Sequence, residues 1–197
     1  RLPKLRLFGS PELRGRALSY PVLREFTHEE LLDHFFLEPQ DRYQISEMSR
    51  SDANRLGQAV LLTTYRFLGY PPTQAEEIPN QLVEWLANQL GADPTLFASA
   101  YGWRQRVWWR HLAWTRERSR TVAFNPEEHQ GLLSIWLLDN GDDLLTRSEW
   151  VKSAVHFFRS KGIELPQRAE MLRLVGSIRR QFEERLFNKV ASMLDQE

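Results

Sequence analysis

Apolar residues recur at intervals of three and four along most of the chain, which is the pattern of helices with one buried face. Thr27 and Glu30 have the spacing of a capping box, as do Thr146 and Glu149. No segment shows the alternation typical of a strand. The sequence therefore predicts an all-α fold, with helices at about residues 27–36, 40–48, 51–68, 79–91, 94–102, 103–118, 125–137, 146–161 and 166–186.

A break in this pattern near Arg120–Asn125 is the best position for a domain boundary. We expect two tandem small helical bundles with helix-turn-helix-like elements, the first at residues 27–120 and the second at residues 121–197. Residues 1–26 contain several prolines, glycines and basic side chains, and they are predicted to form a basic N-terminal arm.

The composition narrows the class of protein. A hydrophobic fraction of 42% is enough to fill a core, and the absence of cysteine excludes disulfides, thiolate nucleophiles and cysteine-based metal sites. No apolar run approaches the length of a membrane span. We therefore expect a protein of the reducing cytoplasm that has no membrane partner.

No arrangement of residues indicates catalysis. The five histidines lack the spacing of helical zinc sites, and Asp142 and Asp143 lie in an Asn-Gly-Asp-Asp sequence that is typical of a turn. The nucleophile elbow, the phosphate loop and the dinucleotide fingerprint are absent as well. We predict that the chain has no catalytic residue, no metal site and no cofactor, and that its function is binding.

Charge is segregated along the chain, although the formal net charge is zero. Acids dominate the segment Arg24–Asp52, whereas the segment Arg104–Arg120 holds six arginines and one acid, Glu117. Arginine also greatly outnumbers lysine, and its planar guanidinium suits phosphates and guanine edges as well as carboxylates.

The predicted helix at 103–118 divides into two faces on a helical wheel. One face collects the apolar residues Trp103, Val107, Trp108, Leu112 and Trp114. The other face joins Trp109 to arginines, and such a surface suits DNA phosphates and bases. The candidate phosphate contacts are Arg104, Arg106, Arg110, Arg116 and Arg118. The alternative is an amphipathic helix whose arginines pair with the acidic segment.

A second candidate DNA contact lies in the segment Thr146–Arg180. A helix, a tight turn with Gly162 and a further helix follow one another, which is the order of a helix-turn-helix. The second helix would enter the major groove, and the candidate residues on it are Arg168, Arg173 and Arg180. Alternatively, the long apolar stripe of this helix and the many tryptophans favour a protein-interaction or dimerisation module, with a homodimer as one form.

Three short blocks of sequence carry a family resemblance. They read Arg50-Ser51-Asp52-Ala53-Asn54-Arg55-Leu56-Gly57, then Thr64-Tyr65-Arg66-Phe67-Leu68-Gly69-Tyr70-Pro71, then Val83-Glu84-Trp85-Leu86-Ala87-Asn88-Gln89-Leu90. Together they resemble the N-terminal region of the replicative transposases of the Tn-three family. Ser51 departs from the pattern, since the family usually has glycine there. The resemblance covers about residues 27–197.

The resemblance implies a role as the N-terminal region of a larger transposase, where the family recognises the terminal inverted repeats of the transposon. The implied partners are double-stranded DNA at the transposon ends and the remainder of the transposase. The family's metal-dependent Asp-Asp-Glu site lies further toward the C-terminus, so Asp142 and Asp143 are not assigned to it. The motif residues Arg50, Asn54 and Arg55 have two interpretations, either helix capping with an internal salt bridge or DNA contact.

Overall fold

The computed structural model describes residues 20–141 and 146–194, and within them the predicted all-α fold class is confirmed. Residues 1–19 of the predicted arm and the turn with Asp142 and Asp143 lie outside the described residues. The helices are α1 His28–Phe35, α2 Pro39–Met48, α3 Asp52–Leu68, α4 Asn80–Leu90, α5 Leu96–Ala100, α6 Arg106–Ser119, α7 Pro126–Asp139, α8 Arg147–Ser160 and α9 Arg168–Leu194. A short 3-10 helix, Ala75–Glu77, precedes α4.

The helix ends follow from side chains that satisfy unpaired backbone groups. At α1 the Thr27 hydroxyl accepts from the Glu30 N–H at 3.2 Å, and the Glu30 carboxylate accepts from the Thr27 N–H at 2.9 Å. Thr146 and Glu149 repeat this arrangement at α8. Gly69 ends α3 with a φ of 84°, a left-handed conformation that glycine adopts without a steric penalty.

The described residues divide into two compact units. The first comprises Pro21–Thr121, and the second comprises Tyr20 with the described residues from Val122 onward. That these units are separate DNA-binding domains stays a prediction.

In the first unit, α3 is the central helix and packs against α1, α2, α4, α5 and α6. Twelve of its 17 residues are buried, including the consecutive run from Leu56 to Tyr65. A helix buried on nearly all sides requires partners around its whole circumference, and the five neighbouring helices supply them. Aromatic rings of Phe26, Phe35 and Phe67 fill one end of this core, with centroids 4.7–5.3 Å apart.

In the second unit, α7, α8 and α9 pack against one another in pairs. The core is formed by fully or almost fully buried side chains: Leu133, Leu137, Trp150, Val151, Ala154, Phe158, Met171, Val175 and Ile178. Val122 and Ile163 form an isolated parallel bridge beside these helices. The helix α9 continues without interruption through Gly176, as its apolar stripe predicted.

Two predicted helix starts are wrong. The helix α6 begins at Arg106 rather than Trp103, because Arg104 has a φ of 55° and interrupts the helical backbone. The helix α9 begins at Arg168 rather than Pro166, because the preceding chain is extended and the Glu164 N–H donates to the Val122 carbonyl at 2.9 Å. The connection between α8 and α9 is therefore residues 161–167, with Gly162 in the left-handed conformation.

Candidate nucleic-acid interface

The exposed side of α6 carries arginines around a tryptophan. Arg106, Trp109, Arg110 and Ala113 are exposed, and we name them the α6 outer face. Their successive spacings of three, one and three residues place them on one side of the helix. Among the described residues, no carboxylate lies within ion-pair distance of Arg106 or Arg110. This face is therefore positively charged and open to solvent.

The opposite side of α6 fixes the helix in the core. Trp108 and Leu112 are 3% and 1% exposed, as the wheel predicted. His111 is fully buried, with its Nδ1 atom 3.0 Å from the Tyr101 hydroxyl and its Nε2 atom 3.4 Å from the Ser49 hydroxyl. Burial, with a smaller effect of the Arg110 charge, lowers the pKa of His111 to about 4. The imidazole is therefore neutral near pH 7.

Arg118 faces away from the α6 outer face and pairs with an acid of the segment Arg24–Asp52. Its Nε atom lies 2.9 Å from Oδ1 of Asp41, and Arg66 approaches Oδ2 of the same carboxylate at 2.6 Å. Burial alone would raise the pKa of Asp41, but the two guanidinium groups outweigh it and lower that pKa below its ordinary value. Arg118 therefore pairs with the acidic segment, as the alternative interpretation of the α6 arginines expected. It is not among the arginines that we propose to bind DNA.

The start of α6 lacks the groups that normally stabilise a helix N-terminus. Gln105 makes no capping hydrogen bond, and the first turn contains no acid. Instead, the exposed Arg104 and Arg106 flank the positive end of the helix dipole. This arrangement is unfavourable for stability, yet it is attractive to a phosphate. Of the other predicted contacts, Arg116 is half-buried.

Several residues of the family motif at the start of α3 make contacts within the fold. The Ser51 hydroxyl accepts from the Asn54 N–H at 3.4 Å and caps the helix, and Arg55 forms a salt bridge with Asp52. Gly57 is needed because the ring of Tyr101 lies against its backbone, where a Cβ would come within 2.3 Å of two ring carbons. Arg50 is exposed and precedes the cap.

The predicted groove residues lie on two sides of α9. Arg168, Arg173 and Arg180 are all exposed. Arg173 and Arg180 are two turns apart on one side, about 10 Å along the axis, whereas Arg168 projects about 140° away from Arg173. Gly176 lies between Arg173 and Arg180, and an added Cβ there would meet nothing within 4 Å.

Sequence reasoning missed the residues that hold α6 in place. Asp41 and Ser49 contact α6 from positions 77 and 62 residues away along the chain. Tyr101 and His111 are ten residues apart, and no sequence pattern indicated that their side chains are in contact. Only the acidic character of the segment Arg24–Asp52 pointed toward pairing with the arginines.

Other kinds of site are not evident in the part of the chain that the structure describes. In residues 20–141 and 146–194, no group of three or more histidine, aspartate or glutamate side chains is arranged to hold a metal ion. Of the helices in those ranges, none combines the length and apolar character needed to cross a membrane.

Comparison with known proteins places these features in a family context. Residues 15–178 match the family described as "Domain of unknown function (DUF4158)". The chain is 30% identical over 192 residues to the transposase for transposon Tn1546 of Enterococcus faecium, a match that covers 93% of this chain and 19% of that protein. It is 29% identical over 128 residues to the transposase for transposon Tn501 of Pseudomonas aeruginosa, covering 65% of this chain and 12% of that protein. The predicted resemblance to transposases is confirmed, and the chain spans less than a fifth of the length of these relatives.

Proposed function

This chain belongs to the family of the domain of unknown function DUF4158, and we propose that it is the N-terminal region of a larger transposase. In this proposal, the chain binds duplex DNA at the ends of the transposon. The relatives named above are transposases of the transposons Tn1546 and Tn501. Transposition requires the ends of the element to be distinguished from other DNA, and this chain supplies that recognition. We assign strand cleavage and transfer to other parts of the larger protein.

The observation that carries the proposal is the contrast between two groups of arginines in the first unit. Arg55, Arg66 and Arg118 pair with carboxylates and hold the fold together. Arg106 and Arg110 are exposed and, among the described residues, have no such partner. Unpaired exposed guanidinium groups on one rigid helix face suit the regular phosphates of a duplex.

The second unit contributes α9 in this proposal. The spacing of about 10 Å between Arg173 and Arg180 allows both to reach one groove or its flanking phosphates. Arg168 lies in the first turn, where recognition helices commonly contact base edges. We therefore assign phosphate contact to α6, and groove contact to the first half of α9.

The test compares two double variants by competition binding. R106A/R110A should weaken binding to the terminal repeat and to a scrambled duplex equally, and it should flatten the salt dependence of both. R173A/R180A should instead reduce the preference for the repeat, with a loss of about 1–3 kcal/mol for each bidentate contact to guanine. If neither variant changes affinity for either duplex, the assignment of these surfaces is wrong.

One observation favours a second candidate function, which is self-association. The second half of α9 exposes Leu186, Phe187, Val190 and Met193 to 44–74%, and these residues share one side of the helix. A second copy of the chain could cover this face in an antiparallel helix pair. Sedimentation of the wild-type chain and of F187E would test it. A concentration-dependent dimer that F187E abolishes supports this function, and a monomer at all concentrations excludes it.

A further inference from the structure

Trp109 is unusual among the seven tryptophans of the chain. It is 53% exposed, whereas the other six are buried or half-buried. A large aromatic side chain left in solvent on a rigid helix contributes little to folding, and such residues commonly anchor binding interfaces.

The indole of Trp109 packs against a buried side chain. Its ring meets the ring of Trp108 edge to face, with centroids 4.7 Å apart and an interplanar angle of 85°. Trp108 is 3% exposed and belongs to the core of the first unit. The exposed ring of Trp109 therefore packs against a buried ring, and it loses little conformational freedom when a partner covers it.

The surroundings of Trp109 indicate what covers it. Arg106 lies one turn before it and Arg110 is its neighbour, while Ala113 leaves space one turn after it. The acid nearest in sequence on α6 is Glu117, eight residues further on and about 12 Å along the axis. Arg106 and Arg110 have no carboxylate partner in the part of the chain that the structure describes. An apolar ring between two such cations fits a polyanion that also presents apolar surface. Duplex DNA is such a partner, because phosphates flank the deoxyribose and base surfaces of each groove.

We propose that Trp109 contacts duplex DNA directly, with its indole packed on deoxyribose and base surface while Arg106 and Arg110 bind the flanking phosphates. This inference rests on the proposed function and adds to it an uncharged, sequence-independent contact. The indole is uncharged whereas arginine is charged, and this difference makes the proposed Trp109 contact testable. An arginine that binds phosphate releases counterions, so its loss changes the slope of affinity against salt. The indole releases none, so its loss lowers affinity and leaves that slope unchanged.

The experiment measures the affinity of the full chain for a repeat duplex and a scrambled duplex at several salt concentrations. W109A should bind both about tenfold more weakly than wild type, with an unchanged salt slope, whereas W109F should retain most of the affinity. R106A should lower the magnitude of the slope by about one. The matched control is Y43A, because Tyr43 is 65% exposed but lies in the acidic segment Arg24–Asp52.

The possible results distinguish failure of the Trp109 contact from failure of the proposed function. Circular dichroism and thermal melting of W109A confirm that the fold is intact, which is expected for an exposed residue. If wild type binds DNA and R106A weakens it while W109A binds as wild type does, this inference is overturned and the proposed function stands. An equal loss in Y43A, or a change of salt slope in W109A, overturns it as well. If wild type binds no duplex, the proposed function fails and this contact fails with it.

Discussion

Gly57 lies in the middle of α3, at the point where the ring of Tyr101 packs against the helix backbone. A Cβ at this position would lie 2.3 Å from two ring carbons of Tyr101, more than 1 Å inside ordinary van der Waals contact. The ring has little freedom to move away. It stacks on Phe97 and on His111 at interplanar angles of 12° and 14°, and its hydroxyl lies 3.0 Å from the His111 ring.

We therefore expect G57A to destabilise the first unit, although alanine favours helices. The gain in helix propensity is about 1 kcal/mol. Inserting a methyl group into a packed core costs about 1–3 kcal/mol. Because the overlap with Tyr101 exceeds 1 Å, the upper end of that range applies. The difference is a net loss of about 2 kcal/mol.

Urea denaturation followed by far-UV circular dichroism measures this loss. The matched control is G176A, since Gly176 is also inside a helix and an added Cβ there meets nothing. That variant should gain about 0.5–1 kcal/mol. In a Y101A background, alanine at position 57 should no longer destabilise, because the opposing ring is gone.

Two results would refute the reasoning. The first is a G57A protein as stable as G176A, which would mean that the Tyr101 ring yields without loss. The second is an equal destabilisation by G57A with and without the Tyr101 ring, which would place the cause elsewhere in α3.

Three further predictions concern the buried His111, the Arg118–Asp41 ion pair and the start of α6. Burial holds the pKa of His111 near 4, below its unfolded value of about 6.5, so the unfolded chain binds the proton first as pH falls. Stability should therefore drop by about 3 kcal/mol from pH 6.5 to pH 4, and H111Q should show a flatter profile in urea titrations across that range. R118A leaves Asp41 with one partner and should lose about 2 kcal/mol, whereas R106A should stay within about 0.5 kcal/mol of wild type in the same titration. Q105D supplies the missing cap of α6 and should raise the melting temperature while it weakens DNA binding in the competition assay.

Local chemistry made the helices predictable. The capping pairs Thr27–Glu30 and Thr146–Glu149 begin helices as expected, because both partners lie within one turn. The wheel of α6 also separated Trp108 from Trp109 correctly, since consecutive residues differ by about 100° and only one can face the core.

The pairing of individual arginines was not predictable, because it depends on contacts that the fold alone creates. Arg118 lies 77 residues from Asp41, so nothing in its sequence neighbourhood separates it from Arg106 or Arg110. The starts of α6 and α9 were misjudged for a similar reason. Arg104 adopts a left-handed conformation that arginine rarely takes, and the chain before α9 is extended by its bridge to Val122.

The most direct test of the central claim is fluorescence anisotropy of a labelled terminal inverted repeat from the element that encodes this chain, with a scrambled duplex of equal length beside it. Both are titrated with the wild-type chain at low and near-physiological salt. We predict that the repeat binds more tightly at both salt concentrations, and that affinity for both duplexes falls as salt rises. Equal affinity for the two duplexes at near-physiological salt would contradict recognition of transposon ends by this chain.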